Sequence, residues 1–153
     1  MFGLVPPCTF ERRESLLVAD LHLAVLVPTS KAWPEGRASI GAIALAVDAA
    51  NKQFSDQGPL IRLSRITYSL KEVECDRSGA IAALTLMLEE RPVNAVIGPW
   101  CSAACESTAY LTAGRDIPQI AYSCTSAELS DKTKFPTVHA PPLMPLRCAS
   151  DAQ

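Results

Sequence analysis

The chain has little with which to bind nucleic acid, cross a membrane or hold a metal. Fourteen lysines and arginines stand against sixteen aspartates and glutamates, a formal net charge of −2 over 153 residues. No basic face stands out, so the electrostatic footprint of a nucleic-acid binder is missing. No apolar run approaches the ~18–20 residues of a membrane helix. The most apolar stretch, residues 16–28, is interrupted by Asp20 and His22. Only two histidines occur and no two cysteines have CxxC spacing, so no zinc site is expected. There is no GxSxG and no P-loop, and the Gly98-Pro99 turn lacks the further glycines of a dinucleotide loop. His22 falls in a strand pattern and His139 in the closing stretch, neither with a nucleophile beside it. Asp48, Glu89 and Glu90 fit solvated helix faces better than an acid–base pair. These gaps point away from an enzyme.

What is present is an α/β pattern, organised around residues 93–126. Val93 to Ile97 is short, apolar and rich in β-branched residues, as a buried strand is. Gly98-Pro99 stops it. Ser102 and Glu106 then suit a helix start, the hydroxyl as a cap and the carboxylate at the positive dipole end. Gly114 suits the helix end, where a left-handed residue is expected. Residues 117–122 form a second strand, and Ser123-Cys124-Thr125-Ser126 follow it. Strand, helix and strand in so short a span make a βαβ unit with parallel strands and a right-handed crossover. Both polar loops then lie at the carboxyl edge of the sheet, where open α/β sheets bind ligands.

The rest repeats this unit. Residues 1–15 have no periodicity and read as a loose tail. Residues 16–28 are a central strand, Ala24 to Val27 being apolar on both faces. A loop with Trp33-Pro34 leads to a helix over 38–53, whose stripe is Ile40, Ile43, Ala44, Val47 and Ala50. Residues 60–70 alternate as an edge strand does, with a phase shift at Ser64-Arg65 that a bulge would explain. Asp76 or Ser78 caps a helix running to Glu90, with Ile81, Leu84 and Leu88 inward, and Pro92 follows. After Ser126, residues 127–134 suggest a short helical turn and 135–139 another strand. Pro141, Pro142 and Pro145 end it, and residues 140–153 read as a second tail. The sum is an α/β fold: an open, doubly wound parallel sheet over residues 16–139. Such sheets usually continue for one or two more strands, so the chain looks cut short. Marginal stability and an open sheet edge are expected.

Six cysteines are many for a small cytosolic α/β protein, and disulfides in an exported one are the natural alternative. Residues 1–14 place apolar residues before charges, the reverse of a secretory leader, so no export signal is visible. The two observations conflict over compartment.

Certain motifs are recognisable: Ile97-Gly98-Pro99-x-Cys101-Ser102, Cys105-Glu106, Ile117-Pro118, Tyr122-x-Cys124-Thr125-Ser126 and Leu129-Ser130-Asp131-Lys132. With Asp48-Ala49-Ala50-Asn51 they resemble the extracellular ligand-binding region of receptor guanylyl cyclases and natriuretic peptide receptors. The resemblance runs from about Leu21 to Thr137, and Trp100 departs from it, standing where that family usually has glycine. It implies a type I periplasmic-binding-protein fold, of which the chain would hold half of the first lobe. No second lobe, membrane span or cyclase domain is present in the sequence. It also implies a non-catalytic receptor part on the outer face of the plasma membrane. Such a part binds a peptide or small-molecule ligand and forms a homodimer through the first lobe.

The resemblance further implies a disulfide between Cys75 and Cys101. Both lie at carboxyl edges of strands, at helix starts, so bonding distance is plausible. Cys105 and Cys124 are placed for a second pair; Cys8 and Cys148 sit in the tails. The family's chloride site would map to the amides of Trp100 and Cys101 with the Ser69 hydroxyl, and no other cofactor is implied. Ser102, Ser123 and Thr125 line the same edge, and in amino-acid-binding relatives such hydroxyls hold the ligand. As a bare pattern, serine and threonine there also fit caps and turns. Two other readings stay open: a small-molecule or amino-acid domain of another type I receptor, and a thiol enzyme with Cys101 activated at a helix N-terminus.

Overall fold

In the computed structural model, residues 19–30, 34–56 and 63–139 are described. The tails, Trp33, Cys8, Cys148 and the expected turn at 57–59 lie outside the described residues. Five parallel strands make one sheet: β1 (Ala19–Val27), β2 (Leu63–Glu72), β3 (Ala95–Ile97), β4 (Gln119–Ile120) and β5 (Val138–His139), in the order β2-β1-β3-β4-β5. Between them run α1 (Pro34–Asp56), α2 (Arg77–Glu90), α3 (Ser102–Ala113) and a single 3₁₀ turn, Ala127–Ser130.

The expected edge strand is β2, at the end of the sheet. Its phase shift is a register slip: Ala19 pairs with Leu63 but Asp20 pairs with Arg65, so Ser64 is the extra residue of a bulge. β1 pairs on both sides, and Ala24 to Val27 are fully buried, as a central parallel strand requires. α1 starts four residues before its expected first position and runs three beyond the expected last.

Alternate residues send the strands to two unequal faces. Ala24, Leu26 and Val96 meet Ala80, Leu84 and Met87 of α2 and Ala104 of α3 in the main core. A second core under α3 holds Cys105, Ala109, Ala121, Cys124, Leu129, Phe135 and Val138. On the opposite face, Val47 is the buried apolar residue of α1, while Leu45 is 72 % exposed and Ile120 on β4 is 45 % exposed.

Hydrogen bonds fix the ends. Asp76 is the α2 cap, its Oδ2 accepting from the Gly79 amide at 2.6 Å. The Gly79 amide, ahead of the Ser78 hydroxyl, holds its carboxyl below the usual aspartate range. The end of α3 departs from expectation. Gly114 is right-handed, at φ −68°, and the left-handed residue is Asp116, at φ 54°. The Ile117 amide donates to Thr112 O and the Asp116 amide to Ala113 O, the two bonds of a Schellman motif, so the reversal falls two residues later. Fully buried Gln119 joins β4 to α3: its Nε2 donates to Gly98 O and to Thr108 Oγ1, and Thr112 Oγ1 donates to its Oε1.

Candidate functional site

The strand order reverses between β1 and β3, so the crevice of this sheet opens at their carboxyl ends. β3 leaves that edge through Gly98, whose φ of 94° a side chain would strain, and reaches Cys101, the residue that precedes α3. Two disulfides fasten this rim. Cys75, at the start of the α2 loop, bonds Cys101, with Cα atoms 5.3 Å apart. Cys105, one turn into α3, bonds Cys124 after β4, with Cα atoms 6.5 Å apart. Both expected pairs are present. The first is partly exposed, and the second is buried in the second core.

The hydroxyls expected to line the rim are drawn together in part. Ser102 does not cap α3; its Oγ accepts instead from the Thr125 amide at 3.1 Å. The cap position is Cys101, which makes no side-chain cap bond, so the first-turn amides of α3 receive no cap from it. Ser123 is half-buried beside the Cys124 bridge, and Thr125 is exposed. Next to them, Glu106 carries more than its place on the helix implied. Its Oε1 accepts from Ser126 Oγ at 2.6 Å and its Oε2 from Arg77 Nη2 at 3.0 Å, tying α3 to the loop after β4 and to the start of α2. Arg77 is 29 residues away, and no local spacing announces that partner.

Trp100 packs edge-on against Tyr122, with ring centroids 5.8 Å apart. Ser69 does not join Trp100 and Cys101. It lies on β2, which β1 separates from β3, and its Oγ is 2.8 Å from His22 Nε2. The residue-level anion assignment therefore loses its hydroxyl to a histidine. His22 is 4 % exposed, with Nδ1 2.9 Å from Thr67 Oγ1. The Thr67 hydroxyl also reaches Leu21 O, which assigns Nδ1–H as donor and leaves Nε2 to accept from Ser69.

Burial, ahead of the Arg91 charge, pushes the His22 pKa below its ordinary 6.5. The neutral ring is thus favoured by folding. Its contribution is whole above the unfolded-state pKa and is lost as pH falls toward the lowered folded value. The unfolding midpoint is expected to drop as pH falls below the ordinary histidine value of 6.5, and His22→Gln to flatten that limb. An unchanged slope in the variant would count against this account.

Cys101, on which the thiol-enzyme reading rested, is bridged to Cys75 and offers no thiolate. Among the described residues no group of three His, Cys, Asp or Glu side chains is placed to hold a metal ion, and no helix is long and apolar enough to cross a membrane.

Comparison with known proteins gives a family and two relatives. Residues 42–150 match the Receptor family ligand binding region. Gamma-aminobutyric acid type B receptor subunit 1 of Mus musculus and of Rattus norvegicus are each 26 % identical over 132 residues. That alignment covers 86 % of this chain and 13 % of either relative, so the chain spans a small part of their length.

Proposed function

The chain belongs to the family of receptor ligand-binding regions, and from that premise we propose that it recognises a small amino-acid-type ligand at the rim of a receptor's first lobe, without transforming it. One observation carries this reading: the loops after β3 and β4 are joined into one preformed surface by the bond from the Thr125 amide to Ser102 Oγ. Two disulfides hold the same loops. Little ordering cost is then left for a ligand to meet. A carboxylate of the ligand would meet the first-turn amides of α3, and Ser102, Ser123 and Thr125 would supply hydroxyls. Gamma-aminobutyric acid, for which the two relatives are named, is of this chemical class. Two disulfides suit the outer face of a cell membrane, where the parent receptor would stand.

A receptor of the guanylyl cyclase type, with a peptide ligand, is the second reading, favoured by the run Leu129-Ser130-Asp131-Lys132. Chloride would there meet the Trp100 and Cys101 amides without Ser69. In either reading a homodimer through the first lobe would bury Ile81 and Leu86, which α2 leaves 40 % and 52 % exposed.

Calorimetric titration of the oxidised chain with a panel of amino acids, and separately with chloride, tests the reading. Binding by one amino acid is expected, weakened about tenfold by Ser102→Ala, the loss of one hydrogen bond of about 1.4 kcal/mol. Absence of heat with every amino acid, or equal affinity in a folded Ser102→Ala chain, would sink it.

A further inference from the structure

The two disulfides have different surroundings. Cys105 and Cys124 are buried in the second core, whereas Cys75 is exposed and Cys101 half-buried at the rim. The two sulfurs of the outer bridge also differ from each other. Cys75 stands between Glu74 and Asp76, one residue before the position that caps α2. The Asp76 carboxylate accepts from the Gly79 amide and from the Ser78 hydroxyl, bonds that favour its charged form. The start of α2 is thus served by Asp76, and negative charge flanks Cys75. Cys101 itself holds the cap position of α3, and its side chain makes no cap bond. The neighbouring hydroxyl, Ser102 Oγ, is engaged by the Thr125 amide. A negative charge on Cys101 Sγ would therefore meet first-turn amides and the positive end of α3. The same charge on Cys75 Sγ would meet two carboxylates.

We propose that the outer disulfide is a thiol-exchange site of fixed polarity, at which Cys75 takes up a small aminothiol and Cys101 departs as the thiolate. The sulfur of the incoming thiolate attacks Cys75 Sγ and forms a new S–S bond there. The bond to Cys101 breaks, and its electron pair stays on Cys101 Sγ. One disulfide replaces another, and no oxidant or reductant is consumed. Access and leaving-group stability favour the same direction: the exposed sulfur is attacked, and the sulfur with the better stabilised thiolate leaves. Glu74 and Asp76 repel an anionic thiol such as glutathione and attract the ammonium of an aminothiol such as cysteamine, which sets the class of reactant. Opening this bond leaves α2 held to α3. Arg77 still pairs with Glu106 at 3.0 Å, and Ser107 Oγ still donates to Arg77 O at 3.4 Å. Ala80 and Leu84 of α2 and Ala104 of α3 stay packed in the main core. Cys101 therefore remains beside Cys75, their Cα atoms being 5.3 Å apart when bridged, and the bond re-forms once the thiol is removed. The exchange requires no ligand at the rim.

The test exposes the full, oxidised chain briefly to cysteamine, quenches in acid and maps the peptic peptides without reduction. The cysteamine adduct is expected on Cys75, with Cys101 as a free thiol and the Cys105–Cys124 bond intact. Far-ultraviolet circular dichroism is expected to be unchanged, and transfer to thiol-free buffer to restore the Cys75–Cys101 pair. At equal thiolate concentration and low salt, cysteamine is expected to open the bond several-fold faster than glutathione, and about 1 M salt to close most of that gap. Glu74→Gln with Asp76→Asn, in which asparagine keeps the cap, is expected to narrow the gap in the same way. An adduct on Cys101, equal adducts on both sulfurs, or inner-bond opening at the same rate would overturn the proposal. So would loss of the helical signal on exchange, or glutathione matching cysteamine at low salt. These outcomes are read on the unsubstituted chain and stand whether or not the double variant folds.

Discussion

Reducing both disulfides is expected to remove about 6 kcal/mol of stability, roughly 3 from each, and to leave the chain largely unfolded at room temperature. The bridges close loops of 26 and 19 residues of sequence separation. In the chain-entropy account these lengths give nearly equal contributions. The two differ in access. Cys75 is exposed, whereas Cys105 and Cys124 are 0 % and 1 % exposed in the second core. A thiolate must reach a sulfur to attack it, so the Cys75–Cys101 bond is expected to be reduced first and the inner one only as the core opens. Urea titration with and without reductant, with timed alkylation and peptide mapping, measures both effects. A urea midpoint that stays put on full reduction would remove the bridges from the account of stability.

Gly98→Ala is expected to cost about 3 kcal/mol and to lower the melting temperature by about 10 °C. The residue sits at φ +94°, and an added Cβ would lie 2.2 Å from Leu26 O, in the backbone of the central strand, and 3.3 Å from the Tyr122 ring. Neither the strand nor the cross-strand register can yield cheaply there. Gly114→Ala makes the matching control with the opposite sign. Gly114 is right-handed, at φ −68°, and its added Cβ would come no closer than 3.4 Å, to Tyr110 O. An alanine there is expected to stabilise by about 0.5 kcal/mol, since glycine gives up more freedom on folding. Thermal scans of the two variants decide the matter; equal effects would mean that the turn after β3 is not the tight point described.

The contrast between these glycines marks how far the sequence could be read. Strands, helices and their parallel order were legible because each has a local cause: the β-branched run before Gly98, the aliphatic stripe through Val47, the polar alternation and slip at Ser64. The disulfides were legible through the resemblance and through placement at strand ends. The turn after α3 is not legible in this way, because glycine is the usual left-handed residue and here Asp116 takes that conformation two positions on. Ser102 has the spacing of a cap, but its oxygen serves a loop 23 residues away. Ser69, the anion ligand that the resemblance implies, serves His22, 47 residues away. Gln119 carries no local mark of its role, yet it is buried, and its amide group bonds Gly98 O, Thr108 Oγ1 and Thr112 Oγ1. Each of these is a long-range pairing, and long-range pairings leave no periodicity behind.

Asn51 has an effect beyond its own helix. Its Nδ2 donates to Ile66 O at 3.0 Å and its Oδ1 accepts from the Ile66 amide at 2.7 Å. Both Ile66 groups point away from β1, so the side chain fills the slot that a strand from another molecule would take in joining β2. A neighbour arriving at that border must first break two hydrogen bonds. Strand addition along β2 is therefore obstructed at Ile66 by a side chain of the same molecule.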